Sequence, residues 1–94
     1  MNYYNVTFHP AVKEAIRDAL ERDEERAKLQ TVLEPRTFER VREIVERQPA
    51  EKRAAFYGTI CEAVCAGEDF SKVQSIDDIG GVYARFIVRR AFGE

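Results

Sequence analysis

The sequence predicts a mostly α-helical fold, a compact bundle of about four helices with a short extended N-terminal arm or strand. Apolar residues recur three or four positions apart through most of the chain, which is the period of a helix face. Pro10, Pro35 and Pro49 mark the boundaries of these runs, as expected near helix starts. Only residues 3–8, YYNVTF, alternate with the period of a strand.

Length and composition limit the class of protein. The chain has 94 residues, so we expect residues 1–94 to form a single helical domain with one core. An apolar content of 45% favours a packed globule over disorder. The 15 basic and 17 acidic side chains nearly cancel, which makes nucleic acid a less favoured partner than another protein.

The cellular location is predicted from three features. The N-terminus has neither a positive start nor an apolar run, so no signal peptide is expected. No stretch approaches 18 apolar residues, so no membrane association is expected. Cys61 and Cys65 lie four apart on an apolar helix, where they are poorly placed to bond each other. Buried unpaired thiols fit a reducing compartment, and we therefore expect a cytoplasmic protein.

The segment from Ala54 to Gly67 is the least polar part of the chain and predicts its central helix. Its apolar positions form two stripes, Phe56, Ile60 and Ala63 in one and Tyr57, Cys61, Val64 and Cys65 in the other. A helix that is apolar on two faces is buried on two faces. We therefore expect this helix, with both cysteines, inside the core and ending at Gly67.

Two helices are expected before the central one. The first runs from Pro10 to about residue 32. Its apolar stripe is Val12, Ile16, Ala19 and Leu20, and it resumes at Ala27, Leu29, Val32 and Leu33. Residues 21–26 carry only charges but contain no helix breaker. We therefore favour one long helix that projects past the core at its middle over a break near Asp23. The second helix spans about 36–47, with Phe38, Val41, Ile44 and Val45 on its apolar face.

The last helix is expected to begin at Ile76, because Ser75 and Asp78 have the spacing of a capping box. The residues expected on its inner face are Ile76, Ile79, Tyr83, Phe86, Ile87 and Ala91. Gly80 and Gly81 cost about 1 kcal/mol each inside a helix, which close approach to the central helix near Gly58 would offset. The alternative is a turn at the two glycines, followed by a strand VYARFIV that pairs with YYNVTF.

The N-terminal arm raises the question of assembly. Tyr4, Val6 and Phe8 share one side of residues 3–8, and a lone strand needs an edge to pair with. The arm either covers its own helices or docks on a second subunit. A homodimer formed through the arm is therefore expected.

No constellation of residues points to catalysis, a metal or a cofactor. A structural zinc needs four ligands, and beside Cys61 and Cys65 the sequence offers only His9. The acidic run at residues 21–25 reads as a solvated helix face, because no apolar neighbour is there to shift a carboxylate pKa. No glycine-rich phosphate loop or nucleophile–base pair is present. We therefore expect a protein that is not an enzyme.

The C-terminal stretch supplies the candidate partner-binding residues, Arg85, Arg89, Arg90 and Phe92. No acidic residue lies between Ile79 and Gly93. Basic residues in a last turn favour the helix dipole, but arginine beside aromatic residues is also typical of binding hot spots. The expected function is a small non-enzymatic protein-binding module: an adaptor, a regulatory subunit or an inhibitor. A phage or other mobile-element origin would fit such a protein.

The order of a short strand and two helices resembles the ribbon-helix-helix DNA-binding family. YYNVTF would be the ribbon, Pro10 would open the first helix, and Phe38 to Val45 would form part of the second. The resemblance implies the alternative function, a dimeric DNA-binding transcriptional regulator. The strand has no Lys or Arg to reach DNA and the first helix is too long, so we do not assign the chain to this family.

Overall fold

A computed structural model describes residues 10–93, and these residues form four helices. They are α1 (Pro10–Val32), α2 (Pro35–Glu46), α3 (Ala50–Cys65) and α4 (Ile76–Ala91). The predicted mostly α-helical bundle is thereby confirmed. The arm or strand predicted at residues 3–8, and His9, lie outside the described residues.

The helix boundaries follow from the sequence signals. Pro35 occupies the first position of α2, and Pro49 caps the start of α3 in an extended conformation. After α3, Gly67 has φ +101°, a left-handed conformation that favours glycine. The Gly67 N–H donates to the Val64 carbonyl at 2.9 Å, and the Glu68 N–H donates to the Ala63 carbonyl at 3.0 Å. This pair of bonds is a Schellman motif, so Gly67 ends α3 as predicted.

The core is built by all four helices and by the loop between α3 and α4. Its buried members are Leu29, Phe38, Val41, Ile44, Val45, Tyr57, Ile60, Ala63, Phe70, Val73, Ile79, Val82 and Phe86. The apolar face predicted for α2 is buried in full, and α3 contributes the fully buried Tyr57, Ile60 and Ala63. In the second stripe of α3, Cys61 and Val64 are only partly buried beside the buried Tyr57, and Cys65 is exposed. The expectation that both cysteines are buried is therefore wrong for Cys65, because α3 ends there and turns to solvent.

Helix α3 lies along α1 and runs in the same direction. Near its start, Ala50 and Glu51 lie beside Ala15 and Asp18. Further along, a Cβ on Gly58 would lie 3.5 Å from a Glu25 carboxylate oxygen. Helix α2 connects the end of α1 to the start of α3, which allows these two helices to run parallel.

Helix α1 is continuous through its charged segment, as predicted, but it packs differently from the expectation. Residues 10–17 are all exposed, whereas Arg22, Glu25 and Arg26 in the charged segment are partly buried. In the second part of the predicted apolar stripe, Leu29 is fully buried and Leu33 packs against the core. In the first part, Ala19 is partly buried, but Val12 and Ile16 are exposed and Leu20 keeps 65% of its surface. The reason is the offset of the two helices: α3 begins only at Ala50, so within residues 10–93 it covers the middle of α1 and leaves the start uncovered.

One carboxylate joins three helices beside the core. The Tyr57 hydroxyl on α3 donates a hydrogen bond to Glu46 Oε2 at the end of α2, at 2.6 Å. Arg26 Nη1 on α1 lies 3.9 Å from the same oxygen. Burial, and next the Glu46 carboxylate, raise the pKa of the Tyr57 phenol.

The C-terminal segment is a helix and not a turn followed by a strand. Gly80 and Gly81 lie inside α4, as favoured above. The expected close approach to the central helix is wrong, because both glycines are exposed and a Cβ on either would meet no heavy atom of residues 10–93 within 4 Å. Gly58 faces α1 and not α4.

Candidate protein-binding surface

Helix α4 carries the predicted partner-binding residues, and its own sequence fixes its ends. Ser75 Oγ accepts a hydrogen bond from the Asp78 N–H at 3.2 Å, and the Asp78 carboxylate accepts one from the Gln74 N–H at 2.9 Å. Asp77 and Asp78 stand in the first turn, and Arg89 and Arg90 in the last. Each charge therefore lies at the end of the helix dipole that favours it. The predicted start at Ile76 is confirmed.

The inner face of α4 is rotated from the predicted one. Val82 is buried although the predicted stripe omitted it, and Ile79 and Phe86 are buried with it. Ile87, expected to point inward, keeps 40% of its surface exposed. The inner face of α4 is therefore formed by Ile79, Val82 and Phe86, which are three and four residues apart along the helix. Ile87 lies off this face and points outward.

An apolar surface remains on the outer side of α4. We call it the α4 apolar face, and its members are Ala84, Ile87, Val88, Ala91 and, just after the helix, Phe92. Phe92 keeps 81% of its surface exposed and Val88 keeps 54%. Single exposed apolar residues are ordinary, whereas several adjoining ones, with an aromatic among them, make a surface a candidate for binding.

Two of the predicted arginines also hold α4 against α3. Arg89 Nη1 donates a 2.7 Å hydrogen bond to Glu68 Oε2, and the Glu68 side chain is only 7% exposed. Arg90 pairs with Glu62, and its guanidinium carbon lies 5.6 Å from the centre of the Phe86 ring. That distance allows a cation–π contact. These arginines therefore do more than favour a dipole, since they tie the last turn of α4 to the end of α3.

Arg85 and Phe92 lack such intramolecular roles. Arg85 is exposed, and among residues 10–93 no carboxylate lies within ion-pair distance of its guanidinium. It borders an open depression lined also by Asp69, Lys72 and Asp77. Arg85 therefore presents at the edge of the α4 apolar face a guanidinium that forms no ion pair within residues 10–93.

An acidic groove between α1 and α3 was not predicted. It is lined by the small residues Ala54, Ala55 and Gly58 and by six acidic residues: Asp18, Glu21, Glu24, Glu25, Glu51 and Glu62. Lys28 pairs with Glu25 at 3.3 Å and with Glu24 at 3.6 Å. Glu21 and Glu24 are exposed, in line with the solvated face predicted for this run. No local pattern could have shown the groove, because it exists only where α1 and α3 run side by side.

The thiols and the acidic side chains form no site for an ion. Cys61 is partly buried beside the exposed Cys65, and burial first, then Cys65, raise the pKa of the Cys61 thiol. Within the part of the chain that the structure describes, no group of three or more His, Cys, Asp or Glu side chains could hold a metal. Over the same residues, none of the helices has the length and apolar character needed to cross a membrane.

Comparison with protein-family models, with curated proteins and with solved structures finds no match to this chain.

Proposed function

We propose that the protein is a small non-enzymatic protein-binding module that acts through α4, as an adaptor, a regulatory subunit or an inhibitor. The observation that carries this proposal is the joint exposure of Val88 and Phe92 on one surface bordered by Arg85 and Arg89. An exposed aromatic side chain beside arginine is typical of binding hot spots, and Val88 adds exposed apolar surface next to it.

The surface indicates the chemistry of the partner. Phe92 would fill an apolar pocket, and Arg85 would lie at the rim, where a carboxylate of the partner can meet it. Arg89 and Arg90 already share their charge with Glu68 and Glu62. Arg85 is therefore the residue through which an acidic partner would be attracted and oriented.

We place this activity in the cytoplasm. Cys61 and Cys65 are both free, and Cys65 is exposed. Exposed free thiols persist in a reducing compartment, whereas in an oxidising one they tend to form disulfides.

A dimeric DNA-binding regulator is the second candidate, with the arginines of α4 facing phosphates. To bind phosphates, Arg89 would have to break or share its ion pair with Glu68, and Arg90 its ion pair with Glu62. This requirement favours the protein-binding proposal. Titration with random duplex DNA at low and high salt separates the two. A DNA-binding protein loses affinity steeply as salt rises, because phosphate contacts release counterions.

The protein-binding proposal is tested by affinity capture from extract of the native cell, followed by binding of the purified protein that is captured. The baits are the parent, Val88→Asp and Phe92→Ala, with Leu20→Asp on the exposed side of α1 as the matched control. We expect the parent and Leu20→Asp to bind the same protein and the two α4 variants to bind it at least tenfold more weakly. Equal binding by all four baits would contradict the proposal.

A further inference from the structure

The packing of residues 10–93 does not explain the two glycines of α4. Gly80 and Gly81 are exposed, and a Cβ on either would meet no heavy atom of these residues within 4 Å. Each costs about 1 kcal/mol in a helix relative to alanine. Glycine inside a helix also lets another backbone approach closely. The cost is therefore explained if something other than residues 10–93 of the same chain packs there.

The glycines continue the α4 apolar face toward the start of the helix. Opposite the buried Ile79, Val82 and Phe86, the outer side of α4 carries in order Asp77, Gly80, Gly81, Ala84, Ile87, Val88 and Ala91, all exposed. At 1.5 Å per residue this surface is roughly 20 Å long. The glycines leave the part of this surface near the start of α4 without side chains, whereas Ile87 and Val88 give it large side chains near the end. Ala84 lies at its middle.

We infer that α4 of a second copy of this chain packs antiparallel on this surface, centred on Ala84. This inference rests on the proposed function and names one partner of the same surface. Antiparallel pairing about Ala84 places Val88 opposite Gly80 of the second copy and Ile87 opposite its Gly81. The large side chains of each helix thereby fill the space that the glycines of the other leave open.

Charge selects the antiparallel direction. The first turn of α4 carries Asp77 and Asp78, and the last carries Arg89 and Arg90. A parallel pair would set like charges side by side, which is unfavourable, whereas an antiparallel pair sets each acidic turn beside a basic one.

The size of the surface limits the strength of this association. One helix on each side contributes less area than the standard specific interface of about 1,600 Å². We therefore expect a weak dimer whose population depends on concentration in the micromolar range. The interface differs from the one first expected, which used residues 3–8.

A cysteine at the centre of the pair gives a position-specific test. Ala84→Cys is made in the full chain with Cys61→Ser and Cys65→Ser, and Arg36→Cys in the same background is the control on exposed α2. A disulfide forms only when the two Cα atoms approach within about 7 Å. Under mild oxidation we expect Ala84→Cys to give a covalent dimer at least tenfold faster than the control. Equal rates would overturn the inference.

Sedimentation equilibrium of the parent provides the second measurement. We expect Val88→Asp and Gly81→Leu to weaken dimerisation at least tenfold, and Leu20→Asp or deletion of residues 1–8 to leave it unchanged. A parent that stays monomeric at high micromolar concentration, or a dimer lost only on deletion of residues 1–8, would overturn the inference. In either case the protein-binding proposal stands if Val88→Asp still binds the captured protein more weakly than the parent does. The proposal falls only if Val88→Asp binds that protein as tightly as the parent.

Discussion

The Tyr57 hydroxyl donates a 2.6 Å hydrogen bond to Glu46 Oε2 and so fastens the middle of α3 to the end of α2. The Tyr57 side chain is fully buried, and Arg26 approaches the same carboxylate from α1. A polar contact at the border of a small core fixes the relative position of three helices in a way that apolar packing alone does not.

Removing this hydroxyl tests its contribution. We expect Tyr57→Phe to lower the free energy of unfolding by about 1–2 kcal/mol at neutral pH, the range for a hydrogen bond to a charged group. The ring stays in place, so the helical circular dichroism should be unchanged. Urea unfolding measures the difference, and equal stability of parent and variant would contradict a structural role for the bond.

The same bond predicts a loss of stability in alkali. Because the pKa of Tyr57 is raised in the folded protein, the unfolded chain releases the phenol proton first, near its ordinary pKa of about 10. This contribution is fully present below pH 10 and falls as the pH rises above it. Urea unfolding at pH 8 and pH 11 should show a smaller decline in Tyr57→Phe than in the parent, since lysine titration is common to both.

The exposed glycines of α4 predict stabilising substitutions. Gly80→Ala and Gly81→Ala should each raise the free energy of unfolding by roughly 0.5–1 kcal/mol in low micromolar samples, because the added methyl meets only solvent. Gly67→Ala is the control, and its φ of +101° should make it destabilising by about 1–2 kcal/mol. A loss of stability at Gly80 or Gly81 in dilute samples would show that the position is not open.

Helix α3 provides a graded test of the core. Ile60→Ala should destabilise the protein by about 2–5 kcal/mol, since the side chain is fully buried. Phe56→Ala should cost less than its volume suggests because Phe56 is only partly buried. Leu20→Ala is the control and should stay within about 0.5 kcal/mol. Thermal melting ranks the three, and a similar effect at Leu20 and Ile60 would contradict this core.

Charge reversal separates the arginines of α4. Arg85→Glu should change stability by less than about 0.5 kcal/mol, whereas Arg89→Glu should cost roughly 1–2 kcal/mol because it sets two carboxylates together at Glu68. Arg85→Glu is therefore the cleaner probe of binding to an acidic partner, and equal stability of the two variants would contradict the Arg89–Glu68 bond.

The two thiols should react at different rates. Cys65 is exposed, whereas burial raises the pKa of Cys61 and lowers its thiolate fraction. We expect Cys61→Ser, which retains Cys65, to react with a thiol reagent at least tenfold faster than Cys65→Ser. Urea should abolish the difference. Equal rates in the folded protein would contradict the placement of these residues.

Most of the fold could be predicted from local signals. Proline, the Ser75–Asp78 capping box and Gly67 fixed the helix ends, since each acts through backbone groups a few residues away. The face of α2 was predicted in full because its opposite side is almost wholly charged. These features need no knowledge of how the helices pack.

The features that were mispredicted depend on helix packing. Val12, Ile16 and Leu20 of the α1 stripe are exposed because α3 begins too late along it, and the inner face of α4 is rotated toward Val82. Of the candidate binding residues, Arg89 pairs with Glu68, which lies 21 positions earlier in the chain, and Arg90 pairs with Glu62, which lies 28 positions earlier. No periodicity within α4 can show a glutamate that arrives from α3 or the loop after it.

The exposed start of α1 has a consequence for how the protein opens. Residues 12–17 are all exposed, and a helix end with little packing opens far more readily than a well-packed one. Amide hydrogen exchange should therefore slow steadily from Val12 toward Leu29, with no step at the charged segment. A protease would cut near Val12 and Ile16 while the rest of the domain remained folded.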